Sequence, residues 1–245
     1  MGIERALDVA ATIMKNGGST TAAERSIGNI LARDGKPEVT VVWRLDYIAA
    51  TTNEDGRLVT YIKPIPTMSI NLAQAAGAMT VAERVGRGDV GVDGLGPELD
   101  RVWRMAPPYG AWVRIAASAV AAASFARMTG CAWSGAAIAA VGAAAGQYVR
   151  PLLLTRGMSG APVTLVCGMV TTIVAGAGVR AFGAPGELPT LIASTIYLVP
   201  GLALINGYLD MVSHRYLVVG LERIASAVVI FLILAIVVAL AYVVF

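Results

Sequence analysis

The 245-residue chain is 56% hydrophobic and 14% charged, which is too apolar for an ordinary water-soluble domain. Residues 1–110 hold 12 basic and 13 acidic side chains, whereas residues 111–245 hold 7 basic and 3 acidic ones. The two parts are therefore expected to lie in different solvents, water and a membrane, and the formal net charge of +3 does not indicate a nucleic-acid partner.

The first 30 residues predict two helices joined by a short turn. Apolar residues at helical spacing predict a helix from Ile3 to Lys15, which Asn16-Gly17-Gly18 would end. Ser19 or Thr20 would cap the next helix, and Glu24 lies near its first turn, as in a capping box. A helix start is therefore the simpler interpretation of Ser19, Thr20 and Glu24 unless other residues support a site.

From Glu38 onward the pattern changes to strands. Three segments, VTVVWRL, DYIAATT and RLVTYIK, are rich in β-branched and aromatic residues, and Asn53 to Gly56 form a suitable hairpin turn between the last two. A further helix is predicted from Ser69 to Arg84. Residues 1–90 are thus expected to form a small soluble α+β domain in the cytoplasm.

Residues 91–108 are predicted to connect this domain to the membrane through a short helix, Asp93 to Met105. Gly86, Gly88 and Gly91 match G-x-G-x-x-G, but they follow a helix rather than a strand, so a dinucleotide site is not expected. No catalytic set, metal site or cofactor site is predicted, and the single histidine, His214, is interpreted as a loop residue.

Five apolar segments follow, each near the length that spans a bilayer as a helix. The predicted fold is therefore a membrane bundle of five transmembrane helices, residues 109–245, preceded by the soluble domain. Gly142 and Gly146 suit close helix packing within it. The segments are residues 109–130, 131–149, 161–182, 188–210 and 224–245.

The arginines at the ends of the segments predict the orientation. Seven lie on the side of the N-terminal domain and two on the other, so the N-terminus is expected in the cytoplasm and the C-terminus outside. The seven are Arg101, Arg104, Arg114, Arg150, Arg156, Arg215 and Arg223, and the two are Arg127 and Arg180.

The segment Leu188 to Asp210 contains Pro200-Gly201 near its middle. Proline removes a backbone N–H and clashes with the carbonyl four residues earlier, so it breaks the helix. A broken helix at mid-membrane with polar neighbours is typical of small-solute sites in transporters, although a structural kink explains it equally well. The polar neighbours are Ser194, Thr195, Tyr197 and Asn206.

Ionisable groups in or beside the segments are further candidates, since burying them in lipid is costly. Asp210 is the one acid within the fourth segment and is a candidate coupling group. Arg114 and Arg180 could bind a substrate carboxylate, or could extend to the membrane interface. Gln147 and Asn206 could line a path without charge.

These residues resemble a known family. Residues 197–201 (YLVPG), then 205–207 (ING) and Asp210, are similar to the LVPG…NG…D pattern of the threonine/serine exporters, and Gly220 with Arg223 resembles the G-x-x-R that follows it.

The N-terminal turn carries the same resemblance. Residues 17–20 with Glu24 are similar to the G-x-S-T-x-R-x-E segment of that family, with Ala22 in place of its arginine.

The resemblance implies a subunit of an inner-membrane secondary exporter for threonine, serine or a dicarboxylate such as succinate. Some family members are split into a larger chain and a small five-helix partner, and this chain resembles the larger one. Its partners would be that subunit, the substrate, membrane lipid and further copies of itself. Since five is an odd number, a second five-helix unit of similar fold would lie inverted in the membrane. A membrane-anchored sensory module, with a ligand on residues 1–90, is the alternative.

Overall fold

A computed structural model describes residues 2–35, 38–66, 70–106, 109–158, 160–183 and 187–245. These residues are mostly helical, with one small three-stranded sheet. The helices are α1 Gly2–Lys15, α2 Thr20–Arg33, α3 Leu72–Arg87, α4 Leu95–Trp103, α5 Ala111–Met128, α6 Trp133–Thr155, α7 Ala161–Phe182, α8 Glu187–Ser194, α9 Gly201–Val212 and α10 Leu217–Val244; the strands are β1 Val39–Trp43, β2 Tyr47–Glu54 and β3 Arg57–Pro64.

The chain divides into two compact units. The first unit contains residues 1–108 and residues 201–226, and the second contains residues 109–200 and 227–245. The first unit is therefore discontinuous in sequence, because α9 and the start of α10 belong with the N-terminal helices and sheet.

The sheet of the first unit is antiparallel in the order β1-β2-β3. The predicted hairpin is present: Glu54 pairs with Arg57, and Asp55 and Gly56 form the turn with φ of 51° and 81°. Positive φ at both turn residues gives the type I′ turn, whose twist matches that of the flanking strands.

Helix α1 lies at the centre of this unit's core. Val9, Ala10 and Ile13 are fully buried, and Ile48 on the inner face of β2 is buried in the same apolar cluster. Tyr216 and Val219, from the start of the last helical segment, belong to this cluster as well. Residues 201–226 therefore complete the core that the N-terminal helices begin.

Helix α3 begins and ends later than the sequence indicates. The predicted start, Ser69, lies outside the described residues, as do residues 107 and 108 at the end of the predicted connection. Gly86 lies inside α3, and Gly88 ends the helix with φ of 85°. The glycine pattern thus belongs to a helix C-terminus rather than to a phosphate-binding loop.

Three of the described helices, α6, α7 and α10, are long and apolar enough to span a membrane, and α8 with α9 would make a fourth span if the broken pair is taken together. α5 is not among them, because Arg114 and Arg127 lower the mean hydropathy of its 18 residues. A fifth span at residues 109–130 stays a prediction. The last segment begins at Leu217 rather than at residue 224, so Glu222 and Arg223 lie inside α10.

Candidate functional site

The predicted helix break at Pro200-Gly201 is present. A 3₁₀ turn over Ile196–Leu198 follows α8, and α9 begins at Gly201. Val199 between them is extended, with φ of −62° and ψ of 128°, the conformation that a following proline favours. A continuous helix is excluded here because the Pro200 ring would clash with the Ile196 carbonyl.

The polar side chains before the break bind within the second unit. Ser194 and Thr195 donate their hydroxyl groups to backbone carbonyls three residues earlier, at 2.7 and 2.8 Å. The Tyr197 hydroxyl lies 3.0 Å from Thr171 Oγ1. Gln147 is half-buried, and within the described part of the chain its Oε1 has no hydrogen-bond partner. These hydroxyl groups are therefore largely occupied by local hydrogen bonds.

Residues 16–20, here called the 16–20 turn, join α1 to α2 in the first unit. Gly17 has φ of 92°, which glycine adopts without strain, and the Gly18 N–H donates to the Ile13 carbonyl at 2.8 Å. This is the hydrogen bond that commonly ends a helix at a left-handed glycine. Ser19 caps α2 by accepting from the N–H three residues later, at 3.2 Å.

The 16–20 turn binds directly to α9. Asn206 Nδ2 donates to the Gly17 carbonyl at 2.9 Å, and the Thr20 hydroxyl donates to Asp210 Oδ2 at 2.8 Å. Thr20 and Asp210 are both fully buried. The N-terminal motif and the polar end of the broken segment thus form one site, although about 190 residues separate them in sequence.

Arg223 supplies the positive charge of this site. Its Nε lies 3.2 Å from Asp210 Oδ2, and its Nη2 donates to the Gly18 carbonyl at 3.4 Å. The side chain is fully buried, as is that of Asp210. Burying two charges costs desolvation energy, so a buried ion pair is weak evidence that the pair stabilises the fold, although removing one partner is destabilising. The pair therefore indicates a role other than stability.

Two glycines allow α9 and α10 to approach closely enough for the ion pair between Asp210 and Arg223 to form. A Cβ at Gly207 would lie 3.1 Å from Arg223 Cβ, and one at Gly220 would lie 2.8 Å from the Gly207 carbonyl oxygen. Larger residues would therefore push the two helices apart. The glycines of the N-G…D and G-x-x-R patterns are explained by this contact.

Glu24 binds side chains after α9 rather than closing a capping box. Tyr216 donates its hydroxyl to Glu24, and Arg215 forms an ion pair with Glu24 at 2.8 Å. Tyr216 also packs edge-on against Trp43, with ring centroids 6.4 Å apart. Burial, followed by the hydrogen bond and charge of Glu24, raises the pKa of Tyr216, so the phenol stays protonated at neutral pH.

A second connection joins α10 to the sheet. Glu222 forms an ion pair with Arg44 at 2.5 Å and accepts a hydrogen bond from the Leu45 N–H at 2.9 Å. Charged residues at the start of α10 are thus paired with partners from the N-terminal residues of the same unit.

Residues 4–245, nearly the entire chain, match the ThrE family, described as threonine/serine exporters. The chain belongs to the threonine/serine exporter family. It is accordingly a membrane protein of a transporter family and not an enzyme.

A relative of this exporter-family chain is the "Probable succinate transporter subunit YjjP" of Klebsiella aerogenes, which is 31% identical over 121 residues. The match covers 49% of this chain and 46% of the relative, so the chain matches about half of the relative's length. No solved structure matches the chain.

The predicted site residues of this exporter-family chain fall into two groups. In the first unit, Thr20 donates to Asp210 and Asn206 donates to the Gly17 carbonyl. Ser19 caps α2, the helix that contains Thr20 and Glu24. The others belong to the second unit, except Gly201, where the first unit resumes. In the second unit, Arg114 is exposed on α5, and Arg180, also exposed, donates to the Phe245 carbonyl at 3.5 Å; the remaining members are Gln147, Ser194, Thr195, Tyr197 and Pro200.

Arg223 is not among the predicted site residues of this exporter-family chain. The sequence carried two indications of its role: a charge at the edge of a long apolar run, and the G-x-x-R resemblance. Tyr216 carried no such indication, because its partner Glu24 lies 192 residues earlier.

Proposed function

We propose that this chain is a subunit of a secondary-active exporter that moves small carboxylate-bearing metabolites across the inner membrane. The substrates would be threonine or serine, or a dicarboxylate such as succinate. Membership of the exporter family supports the amino acids, and the printed name of the Klebsiella aerogenes relative supports the dicarboxylate.

The buried pair of Asp210 and Arg223 carries this proposal. Charged side chains within membrane-spanning segments are costly and are usually retained for transport, ion coupling or proton transfer. Asp210 lies in the last turn of α9, and one of its oxygens, Oδ1, has no hydrogen-bond partner among the described residues. Asp210 is the proposed coupling group, with protons as the coupling ion.

The proposed architecture has a cytoplasmic α+β domain at residues 1–90, a connection at 91–108 and five transmembrane helices in 109–245. α5 would be the first span, with its two arginines near its ends. The distribution of arginine supports a cytoplasmic N-terminus and an outer C-terminus. The path would include Pro200 and Gly201 and the polar side chains near the break, with Arg114, Arg180 and Gln147 along it.

The proposed partner is a small membrane subunit of five helices; the name "subunit" given to the relative supports the existence of a partner. A five-helix partner of similar fold would lie inverted, giving the pseudo-two-fold arrangement that many carriers use. Locating the termini of that partner would test the inversion, since termini on the same sides as those of this chain would contradict it.

The function is tested by efflux of labelled threonine, serine and succinate from cells that express this chain with and without the small partner. Export of one substrate only when both are present is expected. Export by this chain alone would contradict the proposed partner. If none is exported while both proteins are in the membrane, the transport proposal fails for these substrates, and a sensory role for residues 1–90 gains support.

Asp210→Asn tests the coupling group. The substitution keeps the size of the side chain and removes its charge, so uphill export should be lost while the protein remains in the membrane. Asp89→Asn, on the exposed surface of the first unit, is the control. Unchanged uphill export in Asp210→Asn would remove Asp210 from the mechanism.

A further inference from the structure

Four buried polar atoms around the 16–20 turn lack a hydrogen-bond partner within the described ranges. They are Asn16 Oδ1, Asp210 Oδ1, Arg223 Nη1 and Arg223 Nε, the last of which contacts Asp210 only as an ion pair. Buried polar atoms in proteins are nearly always paired, and an unpaired one carries a free-energy penalty. Their occurrence on one hydrogen-bonded cluster indicates a place where another polar molecule binds.

The hydrogen-bond donors of the Arg223 guanidinium are only partly paired. Its Nε faces Asp210, while Nη2 reaches only a neutral carbonyl, that of Gly18, at 3.4 Å. A guanidinium binds carboxylates through two parallel N–H groups, and such charge-assisted bonds are shorter and stronger than a bond to a neutral carbonyl. A substrate carboxylate would therefore compete well with the Gly18 carbonyl for Arg223.

The 16–20 turn presents a carbonyl oxygen to Arg223 and a hydroxyl group to Asp210, as the carboxylate oxygen and hydroxyl of a hydroxy amino acid could. Its Gly18 carbonyl binds Arg223, and its Thr20 hydroxyl binds Asp210. We infer that Arg223 binds the substrate carboxylate, that Asp210 binds the substrate hydroxyl or ammonium group, and that the 16–20 turn occupies these positions until substrate displaces it. This inference rests on the proposed function and specifies its substrate site.

The charges of the site select among carboxylates. One buried arginine beside one buried aspartate matches a zwitterion, whose ammonium group pairs with Asp210 as its carboxylate pairs with Arg223. A dicarboxylate would place a second negative charge near Asp210, and among the described residues no cation other than Arg223 contacts Asp210, which raises the cost of burial. Zwitterionic hydroxy amino acids are therefore favoured over succinate at this site.

The turn has to move for substrate to enter. A Cβ placed on Gly17 would lie 2.6 Å from Leu202 Cδ2, so the backbone of the turn is packed directly against α9. The hydrogen bonds from Asn206, Arg223 and Thr20 hold it there. Weakening one of them should make displacement easier.

The transport test compares Thr20→Val with Thr21→Val, its exposed neighbour, in the full chain expressed with the partner. Loss of the Thr20 hydroxyl removes a competitor for Asp210, so the KM for threonine export should fall about three- to tenfold. Arg223→Lys keeps the positive charge but loses the two parallel N–H donors of the guanidinium, so KM should rise at least about tenfold while kcat changes less. Thr21→Val should match the wild type.

Hydrogen exchange on the purified chain provides a readout that is independent of transport. Saturating threonine should increase exchange at the amides of residues 17–22 in the wild type, and succinate should do so less; Arg223→Lys should show no increase. If export occurs, but both variants keep the wild-type KM and threonine does not change the exchange of residues 17–22, this inference is overturned and the proposed function stands. Threonine-dependent exchange without any export supports the site and overturns the transport proposal, whereas absence of both overturns both.

Discussion

Tyr216 shows how single residues fix the site. It is 5% exposed, donates its hydroxyl to Glu24 and packs against Trp43, so it joins the second helix, the sheet and the start of the last helix. Glu24 keeps an ion pair with Arg215 if the phenol is removed. The contribution of the Tyr216 hydroxyl to stability can therefore be measured separately from that of the Glu24–Arg215 ion pair.

Tyr216→Phe should lower the free energy of unfolding by about 1.5 to 3 kcal/mol, the range for a hydrogen bond to a charged group. Thermal unfolding of the purified protein in detergent measures it. Tyr208→Phe is the control, because Tyr208 is 65% exposed. Equal stability of the two variants would mean that the bond to Glu24 contributes nothing.

The residue scale also shows the limit of sequence reasoning. Arg114 and Arg180 are candidates for binding a carboxylate, or for extending to the membrane interface, because they lie near apolar segments, and Arg223 satisfies the same criterion. What distinguishes Arg223 is its contact with the Gly18 carbonyl, 205 residues away along the chain. Apolar patterning indicates where a charge is costly, but it does not indicate which distant group will pair with it.

At the scale of elements, α6 and α7 confirm the predicted small-residue packing. A Cβ at Gly142 would lie 2.9 Å from the Thr171 carbonyl oxygen, and one at Gly146 would lie 2.0 Å from both Thr171 Oγ1 and the Tyr197 hydroxyl. The spacing of four residues places both glycines on one helix face, so that the backbones approach closely.

Gly146→Ala should destabilise the protein by about 1 to 3 kcal/mol, because the added methyl group must displace the hydrogen-bonded Thr171 and Tyr197. Gly168→Ala, where the nearest atom would lie 3.5 Å away, should be tolerated. Thermal unfolding of both variants in the same detergent compares them. A larger loss in Gly168→Ala would contradict the packing described here.

Periodicity predicted the helices and the hairpin because it reflects local burial, which each segment determines for itself. It failed at the start of the last helix, which begins at Leu217 rather than at residue 224. Glu222 and Arg223 lie just before the predicted segment because they are charged, yet both are paired, with Arg44 and Asp210 respectively. Tertiary partners thus allowed the helix to extend through residues that its own sequence disfavours.

At the scale of the whole molecule, residues 201–226 belong to the same unit as residues 1–108. They supply Tyr216 and Val219 to its apolar core and Asp210 to its buried ion pair. Nothing in the composition of the chain indicated this division, since the charge pattern separates an N-terminal half from a membrane half.

A specific protease site inserted at the exposed residues 109–110 tests this division. After cleavage, the N-terminal fragment should remain bound to the membrane fragment, because residues 201–226 hold it through the core and the 16–20 turn. A tag cleaved from the N-terminus should be released and serves as the control. Release of residues 1–108 into the soluble fraction would contradict the assignment.

The discontinuity of the first unit has a consequence for biosynthesis. The core around α1 is incomplete until residue 226 has left the ribosome, and the intervening residues 109–200, which include the candidate spans α6 and α7, are synthesised first. At 5 to 20 residues per second, the N-terminal segment would remain without Tyr216 and Val219 for roughly 6 to 24 s. During that interval its buried apolar surface and Thr20 face water or a chaperone, so slow insertion should first appear as proteolysis of the N-terminal residues.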